Sequence, residues 1–401
     1  MRKDIDRILA EKGADSMLFY SDSAKNVNMY YLTGFLAPDP FVFLKRSDGD
    51  PLLVVSTMEL SRAKKESRVK DVRSFFDYNY VKIVKSAPNP KIGALKFVAA
   101  LAKKELGTSD KVYVPPNMPV TVADALRSEK LKIEPMLDVV EKARETKEPD
   151  ELEAISSVQR AVEKATSTAI SLIANSETRA NGKLFFKDED GKKKTLTAGR
   201  VRSVFDHVFA DNGCVAEEET IVACGPGSAD PHYAGRADDV FRANQPIVLD
   251  VFPKSARKRY VSDMTRTVVK GKASKTVKRM FEDVLEAKAA AMDAIKAGVL
   301  GSDMQKLCCK VLEKAGYETT WGGKQISRGY LHGLGHGVGL EVHEGPGMNE
   351  FYKYPLEEHN VLSVEPGLYD PKIGGVRIED LVEVTKKGCR NLMKMEVTLE
   401  V

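Results

Sequence analysis

The first part of the chain, to about residue 140, alternates short apolar runs with longer stretches of helical periodicity. The runs MLFYS, PFVFLKR, PLLVVS and KVYVP predict strands at 17–21, 40–46, 51–56 and 111–115. Helical patterns fall between them, over about 58–67, 92–106 and 120–128. Such alternation is typical of a layered domain with a sheet flanked by helices. We therefore predict an α/β domain over residues 1–144.

A polar stretch with a proline, ETKEPD at 145–150, interrupts this pattern and marks the predicted domain boundary. A long helical pattern follows, with Asp150 as its candidate cap and Glu153 three residues later. Beyond residue 217 the chain is rich in strand patterns: ETIVACG, PIVLDVF, RYVSDMTRTVV, NVLSVEPG and GGVRIEDLVEVT. Two helices are predicted over about 274–315. Residues 145–401 are therefore expected to form an α+β domain.

The segment KLFFKDEDGKKKTL, at about 183–196, interrupts the helical patterns of the second half. Its Asp190-Gly191 pair is typical of a tight hairpin turn. We predict a hairpin inserted into the C-terminal domain, with its charges exposed to solvent.

Composition narrows the class of protein. The chain has 62 basic and 58 acidic residues and a net charge of +4, so it shows no electrostatic preference for nucleic acid or a membrane surface. No apolar segment resembles a signal peptide or a membrane span. The five cysteines form no CxxC pair, which fits reduced thiols in the cytoplasm.

Four carboxylates stand in runs that otherwise predict burial: Asp250, Asp263, Glu365 and Glu379. A buried carboxylate is costly unless cations or hydrogen bonds compensate it. Two divalent metal ions would balance four such charges, and Mn, Co, Zn or Fe suit oxygen ligands joined by one imidazole. Each residue alone also has an ordinary alternative as a strand-end, turn or surface carboxylate.

Strand alternation groups further residues with these carboxylates. Thr265 shares a face with Asp263, and Arg377 shares a face with Glu379. We expect Arg377 to hydrogen-bond Glu379 and orient it.

The stretch LHGLGHGVGLEVHEGPG, at 331–347, holds three of the six histidines: His332, His336 and His343. Glycines around them suggest close backbone approach or unusual φ angles. A single histidine is usually structural, and the residues alone leave the role of this grouping open.

These segments resemble the pita-bread metallopeptidases, which include methionine aminopeptidase, aminopeptidase P and prolidase. The family's ligand order of Asp, Asp, His, Glu, Glu corresponds to Asp250, Asp263, His336, Glu365 and Glu379. NMYYLTGF at 28–35 and KARETKEPDELEAI at 142–155 also resemble the N-terminal part of prolidases and aminopeptidase P. The resemblance covers nearly the whole chain. It implies a creatinase/prolidase-like N-terminal α/β domain and a C-terminal pita-bread domain.

The resemblance implies a prolidase, which hydrolyses the bond before proline in Xaa-Pro dipeptides. Two divalent ions, Mn or Co first and Zn or Fe as alternatives, would hold the bridging hydroxide that attacks the carbonyl. Glu365 would be general base and acid, and His343 and His232 would stabilise the intermediate and the leaving group. His332, Arg377 and Thr265 would contact the substrate or support the ligands. The expected partner is a small peptide with proline second, and relatives are commonly homodimers.

Three alternatives stay open from the sequence. No arginine lies between His343 and Gly367, where relatives often carry one for the substrate's carboxylate, and this keeps open an aminopeptidase P acting on longer peptides. A creatinase-like hydrolase would use the fold without metals. A non-catalytic binding relative is the third alternative, although such proteins usually lose several ligands.

Overall fold

The computed structural model of the protein describes residues 3–401. The chain divides into two compact units, residues 1–144 and residues 145–401. None of the helices within the described part of the chain combines the length and the apolar character needed to cross a membrane.

The first unit is a mixed sheet with helices around it. Its helices are α1 (Lys3–Glu11), α2 (Val27–Thr33), α3 (Thr57–Glu66), α4 (Tyr80–Lys85), α5 (Pro90–Leu106), α6 (Val120–Ser128) and α7 (Val140–Glu145). Its strands are β1 (Ser16–Ser21), β2 (Phe41–Arg46), β3 (Leu52–Val55), β4 (Asp71–Ser74), β5 (Lys111–Val114) and β6 (Lys132–Pro135). The strand order is β4-β3-β2-β1-β5-β6, in which β2 pairs antiparallel with both β1 and β3 and the outer strands are joined in parallel.

Helix α2 shows how local sequence sets an element in this unit. Asn26 accepts a hydrogen bond from the Met29 backbone N–H at 2.9 Å and so caps the first turn. Gly34 ends the helix with φ +62, a left-handed conformation that costs glycine little. The helix is confined to seven residues by these two caps.

The second unit contains four helices and fifteen short strands within residues 145–401. The helices are α8 (Pro149–Ala174), α9 (Ala198–Asp211), α10 (Lys275–Ala294) and α11 (Gly301–Lys314). The strands are β7 (Glu177–Thr178), β8 (Leu184–Lys187), β9 (Lys193–Thr195), β10 (Cys214–Ala216), β11 (Ile221–Cys224), β12 (Pro246–Val251), β13 (Pro253–Ser255), β14 (Met264–Val269), β15 (Gly335–Gly337), β16 (Glu344–Met348), β17 (Val361–Val364), β18 (Gly367–Asp370), β19 (Gly374–Arg377), β20 (Asp380–Val384) and β21 (Cys389–Asn391).

Three antiparallel sheets of this unit provide the framework. Their strand orders are β11-β12-β14, β16-β15-β17-β20-β21 and β18-β19. Helices α10 and α11 bury their apolar faces in one core with β17, β18, β19 and β20. Cys308 and Cys309 of α11 lie inside that core.

Helix α8 begins earlier than its sequence pattern predicts. Its cap is Glu148, whose backbone N–H donates to the Glu151 carboxylate at 2.8 Å, and Pro149 is the first helical residue. Asp150 lies within the first turn, so its predicted capping role is wrong. A proline at the first helical position loses no hydrogen bond there, and this favours the earlier start.

Residues 184–195 form the strands β8 and β9, which pair with each other and with β7. The Asp188 carboxylate accepts from the Lys192 backbone N–H at 2.8 Å, and Gly191 has φ +75. The turn is therefore closed by Asp188 as well as by the Asp190-Gly191 pair.

Asp380 lies buried at the start of β20 and joins two buried cations. Its carboxylate accepts from Arg266 at 2.9 Å, from Lys288 of α10 at 2.5 Å and from Asn391 at 2.9 Å. Both cations are at most 5% exposed. Removal of the one shared carboxylate would leave two charges in a medium of low polarity.

We therefore expect Asp380→Asn to lower the free energy of unfolding by about 3–5 kcal/mol, because both cations lose their counter-charge. Urea unfolding followed by circular dichroism measures this loss. Glu153→Gln, which breaks an exposed pair with Arg160 on α8, is the control and should leave the midpoint almost unchanged. Equal small effects for the two variants would contradict a structural role for the Asp380 pairs.

Candidate metal centre

Five strands or strand ends bring the predicted ligands to one cavity. Asp250 comes from β12, His336 from β15, and Glu365 directly follows β17. Asp263 precedes β14, and Glu379 lies between β19 and β20. All five line a cavity of about 650 Å³ within the second unit.

The ligand atoms of three residues form a compact group. One side-chain atom each of Asp263, His336 and Glu379 lies within 4.8 Å of the others. Nε2 of His336 is 3.7 Å from Oδ2 of Asp263 and 3.1 Å from Oε1 of Glu365. Asp250 lines the same cavity and accepts a hydrogen bond from Arg377.

Two buried oxygens of this group fit a bound cation. Oδ1 of Asp263 and Oε1 of Glu379 are buried and accept no hydrogen bond from any described residue. Their side chains are 4% and 1% exposed, so water does not solvate them freely. An unsatisfied buried carboxylate oxygen is costly, and a divalent ion would satisfy it. Carboxylates with a single imidazole suit the ions from Mn to Zn.

The charges of the centre are strongly coupled. Burial and the neighbouring carboxylates of Glu379 and Asp250 raise the pKa of Asp263 well above its usual value. Burial and the carboxylates of Glu365 and Asp250 do the same for the pKa of Glu379. Without metal, the carboxyl groups of Asp263 and Glu379 therefore hold protons in place of a bound metal cation.

His336 and Glu365 form the opposite kind of pair. Burial lowers the pKa of His336, but the hydrogen bond and charge of Glu365 outweigh it and raise that pKa to about 9. Burial raises the pKa of Glu365, and the contact with His336 outweighs it, so the pKa falls to about 2. In the metal-free centre the charged imidazolium of His336 therefore supplies the positive charge that a metal ion would otherwise supply.

Backbone contacts set the orientation of His336. Its Nδ1 lies 3.1 Å from the Gly337 carbonyl and donates to it, which leaves Nε2 facing the carboxylates. Ser363 accepts from the His336 backbone N–H at 3.0 Å and donates to Glu365 at 3.1 Å. One hydroxyl thus positions two of the predicted ligands.

The glycines beside His336 have a steric role. A Cβ on Gly335 would lie 2.0 Å from the Ser363 carbonyl oxygen, and one on Gly337 would lie 2.1 Å from the Gly345 carbonyl oxygen. Neither glycine has a positive φ. The close approach is to the strands on either side of β15, whereas the sequence suggested an approach to the metals or the substrate.

Arg377 holds Asp250 rather than Glu379, so the predicted direct contact is wrong. Its guanidinium donates to Asp250, to Tyr369 Oη at 2.8 Å and to Thr265 Oγ1 at 3.2 Å. Thr265 in turn donates to Glu379 at 2.8 Å. The single predicted strand GGVRIEDLVEVT is divided at Ile378-Glu379 into two strands of different sheets. Strand alternation therefore does not carry from Arg377 to Glu379.

His332 lies at the end of a hydrogen-bonded chain that begins at Arg377. Tyr369 Oη accepts from Arg377 and lies 2.8 Å from Nε2 of His332, whose Nδ1 is 2.8 Å from the Gly333 carbonyl. Burial lowers the pKa of His332. The ring is therefore neutral, with Nδ1–H donating to the backbone and Nε2 accepting from the tyrosine.

The other two predicted histidines of the cavity are more exposed. His343 packs edge-on against His336, with ring centroids 4.4 Å apart, and burial lowers its pKa. His232 follows the short 3-10 turn Gly225–Ala229 and lines the same cavity. His207 and His359 lie outside its lining.

Three functional candidates escaped the sequence reasoning: Ser363, Tyr369 and Glu218. Ser363 lies two residues before Glu365 on one strand face, a parity that could have identified it. Tyr369 belongs to β18, a strand that was not predicted. Glu218 lines the cavity from the loop before β11, and no sequence pattern placed that loop at the site.

Comparison with known proteins identifies the family. A model of the Creatinase/Prolidase N-terminal domain matches residues 1–146, and a model of Metallopeptidase family M24 matches residues 153–386. The chain belongs to metallopeptidase family M24. The predicted family, enzyme class and two-part fold are thereby confirmed, and membership implies the use of a divalent metal.

Full-length relatives of this M24 metallopeptidase include named peptidases. It is 29% identical to the Xaa-Pro dipeptidase of Pyrococcus furiosus, over 93% of this chain and 92% of the relative. The prolidase structure from the same organism covers 98% of this chain and 99% of its own, with a TM-score of 0.74 and 27% identity. An X-Pro aminopeptidase structure from Thermotoga maritima is 25% identical, has a TM-score of 0.78 and covers 98% and 100% of the two chains.

We expect metal to stabilise this M24 metallopeptidase more strongly as the pH rises. The pKa of His336 is raised to about 9 in the metal-free fold, so that fold binds more protons than the unfolded chain above about pH 6.5 and loses stability up to about pH 9. Mn²⁺ replaces those protons. The increase in melting temperature on adding Mn²⁺ should therefore be larger at about pH 8.5 than at about pH 6.5.

Glu379→Gln is the matched variant for this experiment. It removes one repelling carboxylate, so the metal-free variant should melt higher than the metal-free parent near pH 8, while Mn²⁺ should raise its melting temperature little. A metal-induced increase that is the same at both pH values would contradict the charge coupling described for the centre.

Proposed function

We propose that the protein is a dinuclear-metal-dependent prolidase, which hydrolyses the bond before proline in Xaa-Pro dipeptides. The observation that carries this proposal is the convergence of Asp250, Asp263, His336, Glu365 and Glu379 on one cavity, with two buried carboxylate oxygens left for a cation. The relatives named as Xaa-Pro dipeptidases, aligned along nearly the whole chain, support the choice of substrate.

The five residues would hold two divalent ions, with Mn or Co as first candidates and Zn or Fe as alternatives. When bound, the ions supply a water molecule of lowered pKa and a Lewis acid for the scissile carbonyl. Thr265 orients Glu379, and Arg377 orients Asp250. These supporting contacts fix the ligands before any metal binds.

Glu365 is the proposed general base and acid. In the metal-free centre its carboxylate is already ionised at neutral pH, because the contact with His336 lowers its pKa to about 2. It accepts the proton of the attacking water and passes it to the proline nitrogen. That nitrogen carries no N–H in the peptide bond, so it must gain a proton before it can leave.

The histidines of the cavity have different proposed tasks. His343 is neutral and at the cavity mouth, where a ring N–H can donate to the developing oxyanion. His232 lines the side on which we place the leaving proline. His332 has both ring nitrogens engaged, so we assign it the task of shaping that side rather than donating to the substrate.

A specific observation favours a second candidate, an Xaa-Pro aminopeptidase that acts on longer peptides. Arg377 is the one permanently charged cation among the residues that line the cavity, and Asp250, Tyr369 and Thr265 occupy its guanidinium. A dipeptide's own carboxylate therefore has no ready partner among these lining residues. A longer peptide presents no charge at that position.

We further propose a cytoplasmic location and a homodimer. The five cysteines carry free thiols, and reduced thiols are typical of the cytoplasm. Sedimentation of the purified protein tests the second proposal.

We expect metal-stripped protein to regain hydrolysis of Ala-Pro on addition of Mn²⁺ or Co²⁺, because the carboxylate cluster needs both ions to be neutralised. Proline release measures the reaction. Ala-Gly is the control substrate and should be cleaved little. Absence of metal-dependent cleavage for Ala-Pro and for Ala-Pro-Gly alike would rule out the proposal, and a higher kcat/KM for the tripeptide would favour the aminopeptidase.

Glu365→Gln should lower kcat by about 10²-fold or more, because the amide can no longer accept the proton. Mn²⁺ binding should weaken without being lost, since the other four ligands remain. Calorimetric titration with Mn²⁺ separates the two effects. Full turnover in this variant would show that another group transfers the proton.

A further inference from the structure

Three consecutive glutamates lead into β11, and their environments differ. Glu217 pairs with the buried Lys254, and Glu219 pairs with Arg202 at 2.9 Å. Within the described part of the chain, no cation or hydrogen-bond donor pairs with Glu218. Glu218 is nevertheless one of the residues that line the cavity of the metal centre. Its charge is thus the uncompensated one of the three.

Three apolar residues line the same cavity as Glu218. Ile221 pairs with Asp250 across the ladder of β11 and β12, and Phe252, which directly follows β12, lines the same cavity. Val342 adds a buried aliphatic group next to His343. The name acidic-tipped subsite is used below for the group formed by Ile221, Phe252, Val342 and Glu218. This subsite combines an apolar floor with a carboxylate at the rim of the cavity.

The polar residues His232, His332 and Asn349 also line the cavity. The proposed function, on which this inference rests, places the leaving proline beside His232. The residue before proline lies on the other side of the scissile bond, and we assign its side chain to the acidic-tipped subsite.

A lysine or arginine side chain matches this subsite. Its methylene stem can pack on Ile221, Phe252 and Val342 while its charged end reaches the rim. There it would meet Glu218, the carboxylate that lacks a partner among residues 3–401. An acidic side chain in the same place would be repelled by Glu218.

We propose that Glu218 makes the enzyme selective for peptides with a basic residue before proline. The side chain of that residue occupies the acidic-tipped subsite and pairs with the Glu218 carboxylate. Glu218 is therefore a specificity-determining residue.

Two dipeptides of equal length test the proposal: Lys-Pro and norleucine-Pro, which lacks only the side-chain ammonium. With the Mn²⁺-loaded full chain, we expect kcat/KM for Lys-Pro to exceed that for norleucine-Pro by at least about fivefold. The ratio should shrink as salt is added, because the pairing is at an exposed rim. The same pair with a C-terminal glycine is measured in parallel, in case longer peptides are the better substrates.

Three variants assign the effect to a residue. Glu218→Gln should remove most of the preference by lowering kcat/KM for Lys-Pro much more than for norleucine-Pro, and Glu218→Lys should shift the preference towards Glu-Pro. Glu219→Gln is the matched comparison and should keep most of the preference, because Arg202 already compensates that charge. Melting temperatures of the exposed Glu218 variants confirm that the fold is retained.

Two results would overturn the inference while the proposed function stands. One is equal cleavage of Lys-Pro and norleucine-Pro by the parent. The other is an equal loss for both substrates in Glu218→Gln, which would mean that Glu218 binds the α-ammonium group that the two peptides share. Failure to cleave any of the peptides would overturn the proposed function itself and the inference with it.

Discussion

Mutual repulsion among buried carboxylates is the constraint on which this structure depends. Asp250, Asp263, Glu365 and Glu379 line one cavity, and their proximity holds the pKa of Asp263 and Glu379 far above the ordinary range. Positive charge must offset them, and the fold provides it in graded forms: the guanidinium of Arg377, the imidazole of His336 and a place for divalent ions. The centre is therefore built to bind cations at the expense of the stability of the empty protein.

The supporting contacts divide this task between separate parts of the fold. Arg377 fixes Asp250 and begins the chain through Tyr369 to His332, while Thr265 fixes Glu379 and Ser363 fixes both His336 and Glu365. Each supporting residue lies on a strand whose own position is set by a ladder and by the core beneath α10 and α11. The positions of the side chains around the cavity are thus set mainly by backbone pairing in three sheets, and less by the side chains of any one segment.

Sequence patterns identified five residues that converge on one cavity, because charged residues inside apolar strands are visible without a structure. They also gave the two-part fold and the long helices α8, α10 and α11. They failed at contacts that depend on how strands are joined. Because the chain passes from one sheet to another at Ile378-Glu379, Arg377 donates to Asp250 and not to Glu379 as predicted. Sequence patterns could not identify Glu218 for a similar reason. Only the folded structure shows that Glu218 lines the cavity while its two neighbours form ion pairs. Long-range geometry, rather than local propensity, decided each of these points.

Glu379 and Asp380 are consecutive, yet they belong to different environments. The first reaches the cavity, and the second joins Lys288 of α10 and Arg266 beneath it. Arg266 also donates to the Glu379 carbonyl oxygen at 2.5 Å, so the backbone of this dipeptide is clamped from the core side. A loosening of α10 would be transmitted through one peptide unit to a predicted metal ligand. Heat damage that begins in that helix and the release of bound ions would then be a single event.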